Sequence, residues 1–369
     1  MFAQKSQYPI GIDIGAHDIY AVQIKENRQG LGLRGLMHRE VPGNTGEMPV
    51  VSDALVPLLR EISKNKRFVG KSVVVDLPFQ HLFSFPVTFQ VGQTESVEQS
   101  ILRVSKDHLP FPVEEAIIDY PSIVLSPNGD GKKYKATIIA IQRDLLNHYM
   151  LMLKQAGLAV QAVDFAVSSL IRVHTHLCDV IQRPIILCAV GHSQTLLSIV
   201  GQESILAHRT IKWGIETLLD KIMANLQFIG EKDKAKVLLR QYGLLYEDRE
   251  NGRDGVQPHD ELGVDPMRRA IYQIITPSME ELIYELYKII GYVRSEEQNI
   301  GFDCIYMYGY AAIINQLDRY LENRLNIPTK LMNPMMNVAL SDESILTDIS
   351  AGAPFALALG LAMRKVQWL

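Results

Sequence analysis

Two stretches of this chain read as the same short device. Residues 8–25, YPIGIDIGAHDIYAVQIK, place isoleucines at 10, 12 and 14, break at Gly15 and resume extended character through Ile24. That pattern is a strand, a tight turn and a strand. Residues 185–206, IILCAVGHSQTLLSIVGQESIL, repeat it, with Gly191 standing 176 residues after Gly15. Two such hairpins point to an internal duplication. A length of 369 residues suits two domains, or one fold built in two halves, with ample chain for a sizeable core.

Between and after the hairpins the pattern alternates. Strand character at Ser72 to Leu77 is followed by a helix around Thr94 to Leu109 and a strand pair flanking the turn Asn128-Gly129-Asp130-Gly131. A helix beginning after Asp144 as N-cap repeats apolar residues at Leu145, Tyr149, Met152 and Ala156 and stops at Gly157. Strand 158–163 leads to Asp164 and another helix. The second half predicts helices over 215–228 and 278–293, the latter opened by the capping-box pattern Ser278-Met279-Glu280-Glu281. Strand 303–308, helix 311–325, strand 329–332 and a terminal helix from about Ala351 complete the series. The charge-dense stretch 247–264, EDRENGRDGVQPHDELGV, holds too little apolar surface to offset its ordering entropy and is expected to be a mobile loop.

Composition removes several function classes. A balance of 37 Lys+Arg against 41 Asp+Glu gives no electrostatic reason to track nucleic acid or bind anionic lipid. Cys178, Cys188 and Cys304 lie far apart, mostly in apolar runs, as buried thiols of a reducing compartment do. The start, MFAQKSQYPIGIDIG, has no uninterrupted apolar region before a small-residue cleavage site. The late apolar run Ala351 to Met363 falls short of the ~20 residues that span a bilayer. A cytoplasmic chain that does not cross a membrane by itself is the reading.

Chemistry-bearing motifs are sparse. There is no Walker A sequence and no GxGxxG after a strand. His174 and His176 form an isolated pair without supporting carboxylates, so no metal is assigned. Asp13 stands at a strand end before a glycine, where aspartates commonly bond turn amides, and no catalytic residue is assigned.

Alternating strands and helices in two halves, each opened by a glycine-turned hairpin, resemble the α/β, two-lobed actin, hexokinase and Hsp70 superfamily. Residues 107–120, DHLPFPVEEAIIDY, then LLNHYMLMLKQAGLAVQAVDFAVSSL at 145–170 and PFALALGLAMR at 354–364, resemble the PilM family, the actin-like cytoplasmic proteins of type IV pilus assembly. The resemblance runs in order over nearly the whole chain. It implies a first lobe over 1–180 carrying a small extra subdomain at about 85–140. It implies a second lobe over 181–369, holding the 247–264 loop, with the C-terminal helix returning to the first lobe.

In that superfamily ATP with magnesium sits between the lobes, gripped by hairpin amides and by an aspartate from each half. The cofactor-binding positions that the resemblance carries over are Asp13, Gly15, Ala16 and His17 in the first hairpin, with Gly191, Gly214, Gly309 and Gly352 as linings. Several depart from the family pattern. Ala16 and His17 replace small hydroxyl residues, Tyr20 stands where lysine is common, and Asp18 adds negative charge. The usual Asp-Ile-Gly of the second hairpin reads Ala189-Val190-Gly191, and the adenosine Gly-Gly turn reads Gly309-Tyr310, whose ring either stacks on a base or fills the pocket. These changes argue against nucleotide binding and turnover.

The segment Leu109 to Tyr120 reads by itself as a helix-to-strand connection, its two prolines stopping the helix around Phe111. In the PilM family the region belongs to the extra subdomain, which helps form a groove for the N-terminal tail of the membrane protein PilN. The resemblance therefore implies a peptide-in-groove contact at Leu109 and Phe111, with Glu114 and Glu115 near the charge of a basic tail. It implies a scaffold linking PilN-like proteins to the assembly motor ATPases, held to the inner membrane through partners, with homo-oligomers a further implication. Three alternatives stay open: a GspL-like part in type II secretion, an active actin-like ATPase or sugar kinase, and an FtsA-like filament former.

Overall fold

The structure, a computed structural model, describes residues 8–27, 30–41, 54–77, 81–125, 133–178, 181–202, 204–227, 230–245, 265–297, 300–336, 338–339 and 352–365. The turn at 128–131 and the stretch 247–264 lie outside the described residues. The first lobe is a five-stranded sheet in which β1 (Ile10–Ile14), β2 (Asp18–Asn27) and β3 (Gly30–Glu40) run antiparallel. On its other side β1 pairs in parallel with β4 (Ser72–Asp76), and β4 with β8 (Ala159–Asp164). The strand period of two divides β2 between two cores. Ile19 and Ala21 face α1 (Leu55–Lys64) and α3 (Arg143–Gln155), whereas Tyr20, Val22 and Ile24 face α4 (Ala166–Leu177) and α9 (Ala356–Ala362). A sheet covered on both faces needs apolar residues on both, which is why β1 and β4 read as near-continuous apolar runs.

The second lobe repeats the plan. Strands β9 (Ile185–Val190), β10 (Thr195–Val200) and β11 (Ile205–Ile211) run antiparallel. Parallel β12 (Ile305–Gly309) and β13 (Thr329–Leu331) then extend the sheet beyond β9. Helices α5 (Ile215–Leu226), α6 (Lys232–Gln241), α7 (Pro266–Glu296) and α8 (Leu317–Leu325) close one face.

Between β4 and α3 the chain inserts a three-stranded antiparallel sheet, ordered β5 (Phe83–Gln90), β7 (Lys133–Gln142), β6 (Ala116–Leu125), covered by α2 (Val97–Ser105). This small subdomain also touches the second lobe, since the Ile205 amide donates to Ser122 Oγ at 3.1 Å.

Several helix boundaries differ from the sequence reading: the helix expected over 311–325 begins at Leu317 after a short turn, and the terminal helix begins at Ala356. Helix α7 does not begin at Ser278; it starts at Pro266, where the Asp265 side chain accepts from the Met267 amide, and runs through Pro277. Ile271 and Ile275 lie on the same buried stripe as Met279, Leu282 and Leu286, so apolar burial outweighs the hydrogen bond that proline removes. Asp144 is a first-turn residue of α3, whose N-cap is Gln142. The true capping box is Ser96 with Gln99 at the start of α2.

Candidate functional site

The hairpin turns β1–β2 and β9–β10 face each other across the cleft between the lobes. A cavity of about 130 Å³ there is lined by Asp13, Gly15, Ala16 and His17 from one side and by Gly191, His192 and Gly309 from the other. Gly214 and Gly352, expected among the linings, are not there. Both are buried: Gly214 caps the start of α5 and Gly352 precedes the turn Ala353–Phe355. Gly214 is packed behind the second turn, where a Cβ would stand 2.3 Å from the carbonyl oxygen of His192. Gly309 combines φ of 71° with an approach that would put a Cβ 2.3 Å from the Val190 oxygen.

Asp13 lies on β1 opposite Tyr20. Burial, and then the neighbouring charge of Asp18, pushes its carboxyl up to about 7. Asp76, at the end of β4, is raised well above the ordinary carboxylate range by burial and by Asp13. Burial and mutual repulsion oppose ionisation of both acids at once, so they do not present a charged pair.

Asp18, which the resemblance implies adds negative charge near a bound polyphosphate, is engaged inside the protein. Its carboxylate accepts from His38 Nε2 at 2.5 Å and from the Tyr310 hydroxyl at 2.8 Å. Burial alone would raise it, but the hydrogen bonds from His38 and Tyr310, together with the neighbouring charges of His38 and His192, hold it below its ordinary value. The Tyr20 hydroxyl lies 2.8 Å from that of Tyr310. Tyr310, just after β12 of the second lobe, therefore reaches two residues of the first and ties the lobes along one side of the cleft.

One set of side chains was not legible from spacing. His17 of the first turn and His192 of the second stand with ring centroids 3.9 Å apart. Both approach Glu216 Oε2 in the first turn of α5, His17 Nε2 at 3.4 Å and His192 Nδ1 at 3.6 Å. No linear motif joins residues 17, 192 and 216; only the facing of two hairpins does.

A second concavity lies between the small subdomain and the first sheet, a groove of about 410 Å³. Leu82, Ile117 and Ile139 line one wall, and Leu77, Val163 and Phe165 the other. Asp164 at its edge is gripped by Arg172 and, at 2.9 Å, by Arg364. Leu109, Phe111, Glu114 and Glu115 do not line this groove. Phe111 packs edge-on against Phe83 at 5.4 Å, next to Leu82, while Glu114 is exposed, 3.9 Å from Lys106.

Two five-stranded sheets of matching strand order around a hairpin-lined cleft make this an actin-like protein, and solved structures share the fold. MreB5 of Spiroplasma citri bound to AMPPNP matches with a TM-score of 0.52 at 12% identity, over 96% of this chain and 95% of that one. The ethanolamine utilization protein EutJ from Carboxydothermus hydrogenoformans matches at 0.51 and 12%, over 96% and 89%. A PilM–PilN type IV pilus biogenesis complex matches with 0.75 at 20%, over 96% of this chain and 98% of that chain. The family model for the type IV pilus assembly protein PilM matches residues 11–366, and the chain belongs to that family.

Proposed function

We propose that the protein is a scaffold of the type IV pilus inner-membrane machinery. In this reading it binds the N-terminal tail of a PilN-like membrane protein in the groove between the small subdomain and the first sheet. The observation that carries this is the groove itself, whose apolar walls belong to two separately folded layers and whose rim holds the Asp164–Arg172–Arg364 cluster. An extended tail draws affinity from side chains buried between such walls and orientation from polar groups at the rim. The match to a PilM–PilN complex supports a partner of this kind. Among the described residues no helix is long and apolar enough to cross a membrane. In this reading the protein works in the cytoplasm, is held to the inner membrane through the PilN-like partner, and itself links that partner to the assembly motors. The interlobe cleft serves as a joint, closed by Tyr310, and not as a site of ATP turnover.

Fluorescence anisotropy with a labelled N-terminal peptide of the PilN-like partner tests this. Ile117→Glu, which puts a charge in the groove wall, is expected to weaken binding at least tenfold. Phe111→Ala, acting through Phe83 and Leu82, is expected to weaken it less, and Tyr310→Phe in the other cleft not at all. Unchanged affinity in a folded Ile117→Glu protein would remove the groove from the partner site.

A further inference from the structure

The pair of facing histidines is not explained by packing. An imidazole nitrogen buried in a protein is ordinarily hydrogen-bonded, and N–H···O bonds fall at 2.7–3.2 Å. His17 Nε2 and His192 Nδ1 are both buried and have no hydrogen-bond partner among the described residues. Their side chains are 11% and 13% exposed. Both nitrogens point at one oxygen, Glu216 Oε2, from 3.4 and 3.6 Å, which is longer than a hydrogen bond. The three ligand atoms all lie within 4.8 Å of one another. Two atoms each about 2.1 Å from one tetrahedral ion stand about 3.4 Å apart, so the two distances to Glu216 Oε2 are those of ligands around a common centre.

We propose that His17, His192 and Glu216 form a binding site for a divalent first-row transition ion, zinc by its donor set, that bridges the two lobes at their hairpin turns. Two imidazoles and one carboxylate suit zinc better than magnesium or calcium, which take oxygen ligands. Glu216 is positioned for the role: Lys232 Nζ bonds its Oε1 at 3.1 Å and leaves Oε2 toward the histidines. An outer partner of that kind is what fixes a ligating carboxylate. Three protein ligands leave a fourth position, and since both histidines line the cleft it opens there, for water or an anionic oxygen.

The geometry also fixes what the ion does. His17 belongs to the first lobe, His192 and Glu216 to the second, so binding ties the lobes together beside the Tyr310 contact and stabilises the closed cleft by mass action. This inference does not depend on the pilus reading; a peptide bound in the other groove neither requires nor excludes it.

The test uses the full chain after chelator treatment. Titration with Zn²⁺ is expected to show one ion per chain at micromolar or tighter affinity, with a melting temperature that rises as Zn²⁺ is added. Co²⁺ in its place is expected to give the intense visible absorption of a four-coordinate site, displaced by Zn²⁺. His17→Gln and His192→Gln are each expected to weaken binding about a hundredfold and Glu216→Gln at least tenfold, with circular dichroism verifying the fold. X-ray absorption at the zinc edge of the wild-type protein reads its imidazole ligands without any variant. Zinc uptake equal in the wild type and a folded His17→Gln/His192→Gln protein, or an absorption edge without imidazole scattering, would overturn the proposal.

Discussion

In the first hairpin the Gly15 amide donates to the Asp18 carbonyl at 2.8 Å, and in the second the Gly191 amide donates to that of Gln194 at 2.8 Å. Both turns close the same four-residue loop, after Ile14 opposite Ile19 in one case and Val190 opposite Thr195 in the other. The side chains beside those turns differ. Asp13 faces Tyr20 across the first hairpin, while the matching pair in the second is Ala189 and Leu196. Turn geometry is set by glycine and strand twist, whereas the chemistry is set by cross-strand pairs that the turn does not need. A carboxylate can therefore be absent from one half without disturbing the duplicated fold. What the second turn carries in exchange is a tighter seat against its neighbours and a histidine that meets its counterpart.

The tighter seat gives the largest expected effect. Gly214→Ala would drive a Cβ to 2.3 Å from the His192 oxygen and 2.7 Å from the Ser193 amide nitrogen. Urea unfolding should show a loss of about 3 kcal/mol, against about 1 kcal/mol or less for Gly15→Ala, where the nearest atom is 3.1 Å away. Equal losses would mean that the two turns are packed alike, and the comparison would fail.

Asp13 gives the next effect, and it depends on pH. Its folded carboxyl titrates at about 7, above the ordinary ~3.9 of an unfolded aspartate. The folded chain therefore holds this proton more tightly, and the stability the group contributes is present below about pH 4 and is lost as pH rises through 7. Asn at this position cannot ionise. Asp13→Asn should raise stability by about 2 kcal/mol at pH 8 and change it little at pH 4, while Ala189→Asn in the other hairpin should show no such pH dependence. An Asp13→Asn effect equal at both pH values would show that the carboxylate sits in an unperturbed environment.

The smallest effect sharpens the comparison by its absence. Ala189→Asp restores the second carboxylate alone, yet phosphate release from ATP and magnesium should stay at background. Tyr310 and Asp18 would still occupy the cleft, and missing electrostatic stabilisation typically costs orders of magnitude in rate. Turnover by the unaltered chain that Asp13→Asn abolishes would contradict the reading of the cleft as a joint.

The hairpins, the two-lobed class and the family were legible because local rules carry them: alternation of period two, a glycine at each break, and the LPFPVEEAIIDY segment. Strand β3 is not legible locally because Gly30, Gly32 and Gly35 break the apolar alternation that marks a strand, although β2 pairs with it from end to end apart from one register shift. The start of α7 was misplaced because Ser278-Met279-Glu280-Glu281 is a sound local signal that burial of Ile271 and Ile275 overrides.

The cleft divides in the same way. Its glycines and Asp13 could be found from the two repeats, and the loss of the second carboxylate could be read from Ala189 alone. That Tyr310 ties the lobes through Asp18, that Gly214 backs a turn, and that His17, His192 and Glu216 converge could not, because each joins residues from separate hairpins, strands or helices. Sequence by itself determined which elements form and which residues stand at their turns, since those depend on neighbours along the chain. Which side chains meet across the cleft was decided only when two sheets folded 176 residues apart came face to face, because contact between them depends on packing that no local pattern encodes.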